Sequence, residues 1–117
     1  MNASNDRRID YIEFPATDLE KTKLFYTTVF GWKFEDWGPD YASFHDGRLS
    51  GGFRKESKVK SQGPLIVLYS SNLEAIQRRI VLAEGKITKP TFAFPGGRRF
   101  HFSDPNGNEL AIWTNVG

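Results

Sequence analysis

The sequence predicts an α+β fold of two tandem β-α-β-β-β modules, whose strands form a curved mixed sheet cup with the helices outside. Three observations predict it. A strand–helix–strand order runs through the chain twice; two pairs of landmark residues share one spacing; and clusters of turn-forming residues fall where that order needs breaks. Asp18-Leu19-Glu20 and Asn72-Leu73-Glu74 are offset by the same interval as Gly31 and Gly85. Each pair brackets a predicted helix of one length, with a cap at its start and a glycine at its end.

In chain order, Ile9 to Phe14 has strand character, with Asp10, Ile12 and Phe14 on one face and Ile9, Tyr11 and Glu13 on the other. Pro15 is expected to stop the ladder. Thr17 or Asp18 caps a helix on which Leu19, Leu24, Phe25, Thr28 and Val29 approximate one face, ending near Phe30 with Gly31 as its C-terminal cap. Trp32 to Trp37 alternates aromatic and charged residues as a half-buried strand does. Gly38-Pro39-Asp40 is a turn, Tyr41 to His45 a strand, Asp46-Gly47 a hairpin signal and Leu49 to Arg54 a fourth strand. Within it, Gly51-Gly52 marks a bulge or a close approach.

Module one therefore spans about 9–54 and a polar linker covers 55–63. Module two spans about 64–114. Pro64 to Tyr69 is its first strand. Ser71 or Asn72 caps a helix reaching about Glu84, with Gly85 ending it. Lys86 to Lys89 is a short strand, and Gly96-Gly97 separates a loop from the strand Arg99 to Ser103. Asp104-Pro105-Asn106-Gly107-Asn108 is a dense turn signal before the last strand, Leu110 to Thr114. One such module cannot close its own core, because its helix covers only one face of its strands. Two modules side by side can curve into a cup whose helix-free faces line a small-molecule site.

Composition narrows the function classes. At 117 residues the chain suits one domain with one core. No cysteine is present, which removes disulfides, thiol nucleophiles and thiolate-held metals. Net charge is +2 and the basic residues are dispersed, without the stripe of a nucleic-acid binder. No stretch has the length of a membrane span, and residues 1–8 lack the apolar run of a secretory signal, so a cytoplasmic protein is expected. Aromatic residues make up 15% of the chain, enough to fill a core and also line a pocket.

The run Phe102-Ser103-Asp104-Pro105-Asn106-Gly107-Asn108-Glu109-Leu110-Ala111-Ile112-Trp113 resembles the signature that closes the second module of the vicinal-oxygen-chelate superfamily, which includes glyoxalase I, bleomycin-resistance proteins and extradiol dioxygenases. Asp18 to Phe34, with Phe25-Tyr26 and Val29-Phe30-Gly31-Trp32, resembles its first-helix signature. The resemblance covers residues 9–114. It implies the cup fold, a homodimer, and, in the enzymes, a metal held by the first and last strands of each module. Carried over residue by residue, those four positions fall on Tyr11, Leu65, Ala111 and Gly51-Gly52. Leu, Ala and Gly offer no donor, and a neutral phenol is a poor ligand. The expectation is no metal and no cofactor. Nothing supports glutathione-dependent glyoxalase chemistry.

The candidate site residues follow from face and chemistry. Glu13, on the inner face with Tyr11, is a general base or a recognition group in one reading and a structural carboxylate paired with a basic neighbour in the other. Tyr11 offers a hydrogen bond to a ligand oxygen, or simply fills space. Trp37, Tyr41, Phe53, Tyr69 and Trp113 are expected to face the cup, as are Leu65 and Ala111. Arg99 and His101 share a strand face and could hold an anion; an exposed edge is the plainer reading. His45, beside a hairpin turn, reads as surface. The expected function is metal-free binding of an unidentified small molecule, with a lyase, isomerase or dioxygenase using Glu13 and Tyr11 as the alternative.

Overall fold

The structure, a computed structural model, describes residues 6–60 and 63–117. The first residues of the N-terminal segment and two linker positions, 61 and 62, lie outside the described residues. The elements run β1 (Tyr11–Ala16), α1 (Leu19–Phe30), β2 (Lys33–Asp36), β3 (Tyr41–His45), β4 (Ser50–Lys55), β5 (Ile66–Tyr69), α2 (Leu73–Leu82), β6 (Lys86–Phe94), β7 (Gly97–Ser103) and β8 (Glu109–Thr114). The strands form two four-stranded sheets of identical wiring, β1-β4-β3-β2 and β5-β8-β7-β6. In each, the module's first strand lies parallel to its last, and the other pairs are antiparallel.

The repeat in the sequence is thus a repeat in the fold, and its start signals hold. Asp18 caps α1 by accepting from the Lys21 backbone N–H, and Asn72 caps α2 through Ala75 in the same way. The end signals differ. Gly31 takes the left-handed conformation expected of a C-terminal cap, at φ 73°, but in module two Glu84 takes it instead, at φ 72°. The two helices have 12 and 10 residues rather than one length. Gly85 serves a different purpose, since a Cβ there would lie 2.6 Å from Ile80 Cγ2 and 3.0 Å from the Phe25 ring.

Three strand expectations change. Pro15 lies inside β1 opposite Arg54 and does not end it. The strand sits at the edge of its sheet, so a missing N–H interrupts no ladder on its far side. β6 runs on to Phe94, and two register shifts around Lys89 absorb Pro90 on an edge strand. No register shift occurs at Gly51-Gly52, where close approach is the reason for the glycines. A Cβ on Gly51 would overlap the Ile12 carbonyl and the Phe44 ring.

The helices cover one face of the sheets and share a single core. The buried face of α1 is Thr22, Phe25, Tyr26 and Val29, rotated from the expected one; Leu24 is exposed. Phe14, Phe44, Phe53, Tyr26 and Trp32 stack together from module one, and Phe25 reaches Phe102 of module two at 6.2 Å between ring centroids. Leu73, Ile80, Phe100, Leu110 and Ile112 complete the core. Strand alternation then fixes the opposite, helix-free faces.

The Asp104–Asn108 turn locks the modules together. Asp104, itself buried, accepts from the backbone N–H groups of Asn106 and Asn108 and from the Tyr26 hydroxyl on α1. Asn106 Oδ1 accepts from Thr17 N, and its amide donates to Thr22 Oγ1 at 2.8 Å. The Asn108 amide donates to the Pro15 carbonyl. The turn of module two thereby bonds the backbone N–H groups of Thr17 and the N-cap Asp18, where the chain of module one enters α1.

Candidate functional site

The helix-free face of module one carries a chain of polar side chains. Tyr11 and Glu13 alternate outward along β1, and Tyr41 and Arg54 meet them from β3 and β4. Tyr41 donates to Glu13 Oε2 at 2.9 Å, so the Tyr11 hydroxyl, which bonds Tyr41, acts as donor to it. Arg54 donates to Glu13 Oε1 at 3.0 Å, and its Nε donates to Glu56 at 2.8 Å. Both Glu13 oxygens are therefore engaged. Desolvation, then the bonds to Tyr11 and Glu13, push the Tyr41 phenol well above its ordinary range. It stays a neutral donor. Gly52 makes this possible, because a side chain there would overlap the two phenols. Trp37 stands beyond β2, exposed, with its indole N–H on Ser43 Oγ at 2.9 Å.

The helix-free face of module two is a band of rings and cations. Cross-strand pairing places Phe92 (β6), Arg99 (β7) and Trp113 (β8) in one row, with Lys89, His101 and Ala111 in the next. Tyr69 meets Trp113 edge-on at 5.2 Å, and Phe94 lies 6.4 Å from Trp113. His101 is buried, with Nδ1 3.0 Å from Glu109 Oε2. A cavity of about 290 Å³ opens where the first strands of the two modules face each other, lined by Ile12, Glu13, Pro15, Lys60, Leu65 and Glu109 among others.

Most of the residues singled out in the sequence share these faces. Tyr11, Glu13, Trp37 and Tyr41 lie together on module one; Tyr69, Arg99, His101, Ala111 and Trp113 lie together on module two; Leu65 and Glu13 border the cavity. Phe53 is a correction. It is fully buried on the helix side, 5.1 Å from both the Phe14 and Tyr26 rings, because Gly52 and Arg54 hold the outward parity of β4. His101 is not at an exposed edge, and Ala111 beside it is fully covered. Sequence reading missed Arg54, Lys89, Phe92, Phe94 and Glu109. The Thr91-Phe92-Ala93-Phe94 alternation was the available signal for Phe92 and Phe94.

The model of the Glyoxalase/Bleomycin resistance protein/Dioxygenase superfamily matches residues 8–112. The chain belongs to this superfamily. A glyoxylase-like domain-containing protein from Didymella fabae is 26% identical, over 94% of this chain and 95% of its own. A glyoxalase/bleomycin resistance protein/dioxygenase family enzyme from Burkholderia phytofirmans superposes with a TM-score of 0.80 at 16% identity, covering 92% of this chain and 100% of that one. A mutant of the fosfomycin resistance protein FosX from Listeria monocytogenes, in complex with Mn(II) and a dihydroxypropylphosphonic acid, gives 0.81 at 17%, covering 95% and 91%. These likenesses establish the fold.

The superfamily's metal does not fit the residues present. At the four positions carried over above, Leu65 and Ala111 supply hydrocarbon, Gly51-Gly52 supply no side chain, and Tyr11 is bonded to Tyr41. Among the described residues no three His, Asp or Glu side chains converge as a metal cluster. A divalent ion needs such convergence.

Proposed function

We propose that this superfamily member is a small-molecule-binding protein of the glyoxalase/bleomycin-resistance type, holding its ligand against the helix-free faces without a divalent metal at the superfamily position. One observation carries the reading. The polar groups of module one bond to one another, Tyr11 to Tyr41 to Glu13 to Arg54, and do not converge on a common centre. The exposed rings of Tyr11, Trp37 and Tyr69 on the same faces offer apolar contact area. As in other members of the superfamily, two copies are expected to pair, in the cytoplasm.

The test is metal content together with ligand-dependent melting. Purified protein exposed to Zn, Ni, Mn or Fe salts retains no stoichiometric metal after desalting, whereas aromatic or amphipathic compounds raise Tm. About one transition metal per chain, held by the first and last strands, overturns the reading.

A second reading is a lyase, isomerase or dioxygenase in which Glu13 abstracts a proton and Tyr11 polarises the substrate. Its support is that Glu13 borders the cavity. Against it, Arg54 and Tyr41 already donate to the two carboxylate oxygens, so a substrate proton would have to compete with bonded partners. Glu13→Gln leaving a detected turnover unchanged disposes of this version.

A further inference from the structure

We propose that the module-two half of the cup is a site for a small organic oxyanion, a carboxylate or phosphorus oxyanion, gripped by Arg99 with its apolar body against the rings of Phe94, Trp113 and Tyr69. The inference rests on the ligand-binding reading above and gives it a chemical class.

Arg99 is the decisive residue. Its guanidinium carbon lies 5.2 Å from the Phe92 ring centroid and 5.7 Å from that of Phe94. Among the described residues its side chain makes no hydrogen bond or ion pair, and its Nε is buried without a partner. Its neighbour Arg98, on the other face, bonds Glu74 at 2.8 Å, and Arg54 in module one bonds two carboxylates. Arginine cannot escape an unmet buried donor by losing its proton. Leaving such a donor unsatisfied opposes folding, and a bound acceptor relieves it.

The surroundings match an anion. Lys89 Nζ stands 5.3 Å from the same Phe92 ring. His101 is nine-tenths buried, turns Nδ1 to Glu109, and leaves Nε2 buried without a partner. Lys89 is thus a second cation beside Phe92, while His101, whose Nδ1–H goes to the Glu109 carboxylate, presents Nε2 as the acceptor of its neutral ring. Glu109 is the opposing charge, but it lies four residues before Trp113 on β8, about 13 Å along the strand from the Arg99 level. The planar fork of a guanidinium fits the two oxygens of a carboxylate or phosphonate. The faces of the flanking rings favour a cation at that position.

The experiment uses three probes of one shape: benzoate, phenylphosphonate and benzyl alcohol. Titration calorimetry and amide and indole NMR spectra of the full chain read affinity and place. Both anions are expected to bind with weakening as salt rises, shifting the Trp113 indole, and benzyl alcohol to bind at least about tenfold more weakly. The ratio of the two anions tells carboxylate from phosphorus oxyanion. Arg99→Gln should weaken the anions by about tenfold to a hundredfold and leave benzyl alcohol unchanged. Arg99→Lys should fall between, and it keeps the test in force if the glutamine variant unfolds. Equal binding of benzyl alcohol, or undiminished anion binding by Arg99→Gln, overturns the oxyanion site while leaving the cup a ligand site. If no probe moves a resonance on either helix-free face, the ligand-binding reading fails along with it.

Discussion

The Tyr26 hydroxyl donates to Asp104 Oδ2 at 2.9 Å, a buried bond that ties the first helix of one module to the last turn of the other. Burial raises the Asp104 carboxyl above its ordinary range, and the bonds from Asn108 and Tyr26 pull it part of the way back. A carboxyl whose folded pKa exceeds its unfolded one binds protons more tightly when folded. It therefore costs stability as pH rises from about 4 through the folded value.

Tyr26→Phe is accordingly expected to destabilise the protein more at pH 7 than at pH 3.5. At neutral pH it removes a donor from a buried anion, costing about 1.5–3 kcal/mol. Near pH 3.5 the protonated carboxyl loses less. Urea unfolding at the two pH values checks the difference, and an equal loss at both contradicts it.

Asn106→Ala should cost more than Asp18→Ala. The capping aspartate accepts from one N–H on an exposed helix end, worth about 1 kcal/mol. Asn106 serves the backbone of Thr17 and the hydroxyl of Thr22 in a buried setting, so at least two partners are stranded, at about 2–4 kcal/mol. Denaturant midpoints of the two variants give the order.

Alkaline titration should find two tyrosines that resist ionisation. Desolvation holds Tyr26 up, with Asp104 adding to it, and holds Tyr41 up together with Tyr11 and Glu13. Phenols with raised folded values lend full stability below the unfolded pKa, about 10, and withdraw it above. Phenolate absorbance should therefore remain incomplete above pH 10 until the protein unfolds. Tyr41→Phe should remove one resistant group with little change in Tm, because the residue lies on an open face.

Gly51→Ala and Gly52→Ala, one residue apart, should differ in kind. The first drives a methyl into the Ile12 carbonyl and the Phe44 ring, in the core, and should lower stability by about 1–3 kcal/mol. The second meets the mobile ends of two phenols. It should displace Tyr41 from Glu13 and alter ligand binding while the fold persists. Thermal melts paired with ligand titrations separate the two.

Periodicity and turn chemistry made the fold legible. Asp18 and Asn72 announced both helices, and the alternation of Ile12 and Phe14 against Tyr11 and Glu13 assigned the faces of β1 correctly. Parity failed where glycines gave no side to read: Gly51 and Gly52 concealed that Phe53 points inward. Pro90 made the second half of β6 look like loop, and with it Phe92 and Phe94 were lost from the candidate site. The partners of Glu13 and the isolation of Arg99 are tertiary facts that no local pattern encodes.

The Asp104–Asn108 turn has a consequence for how the chain can be divided. Its hydrogen bonds and the shared aromatic core bind one module to the other independently of the linker peptide. Two separately produced polypeptides, cut within 55–63, should therefore reassemble into the native fold on mixing. Each alone should stay unfolded, because each would expose its half of the shared core and leave the turn or its partners unbonded. Complementation of this kind would show that covalent continuity is dispensable here and that recognition between duplicated halves is not.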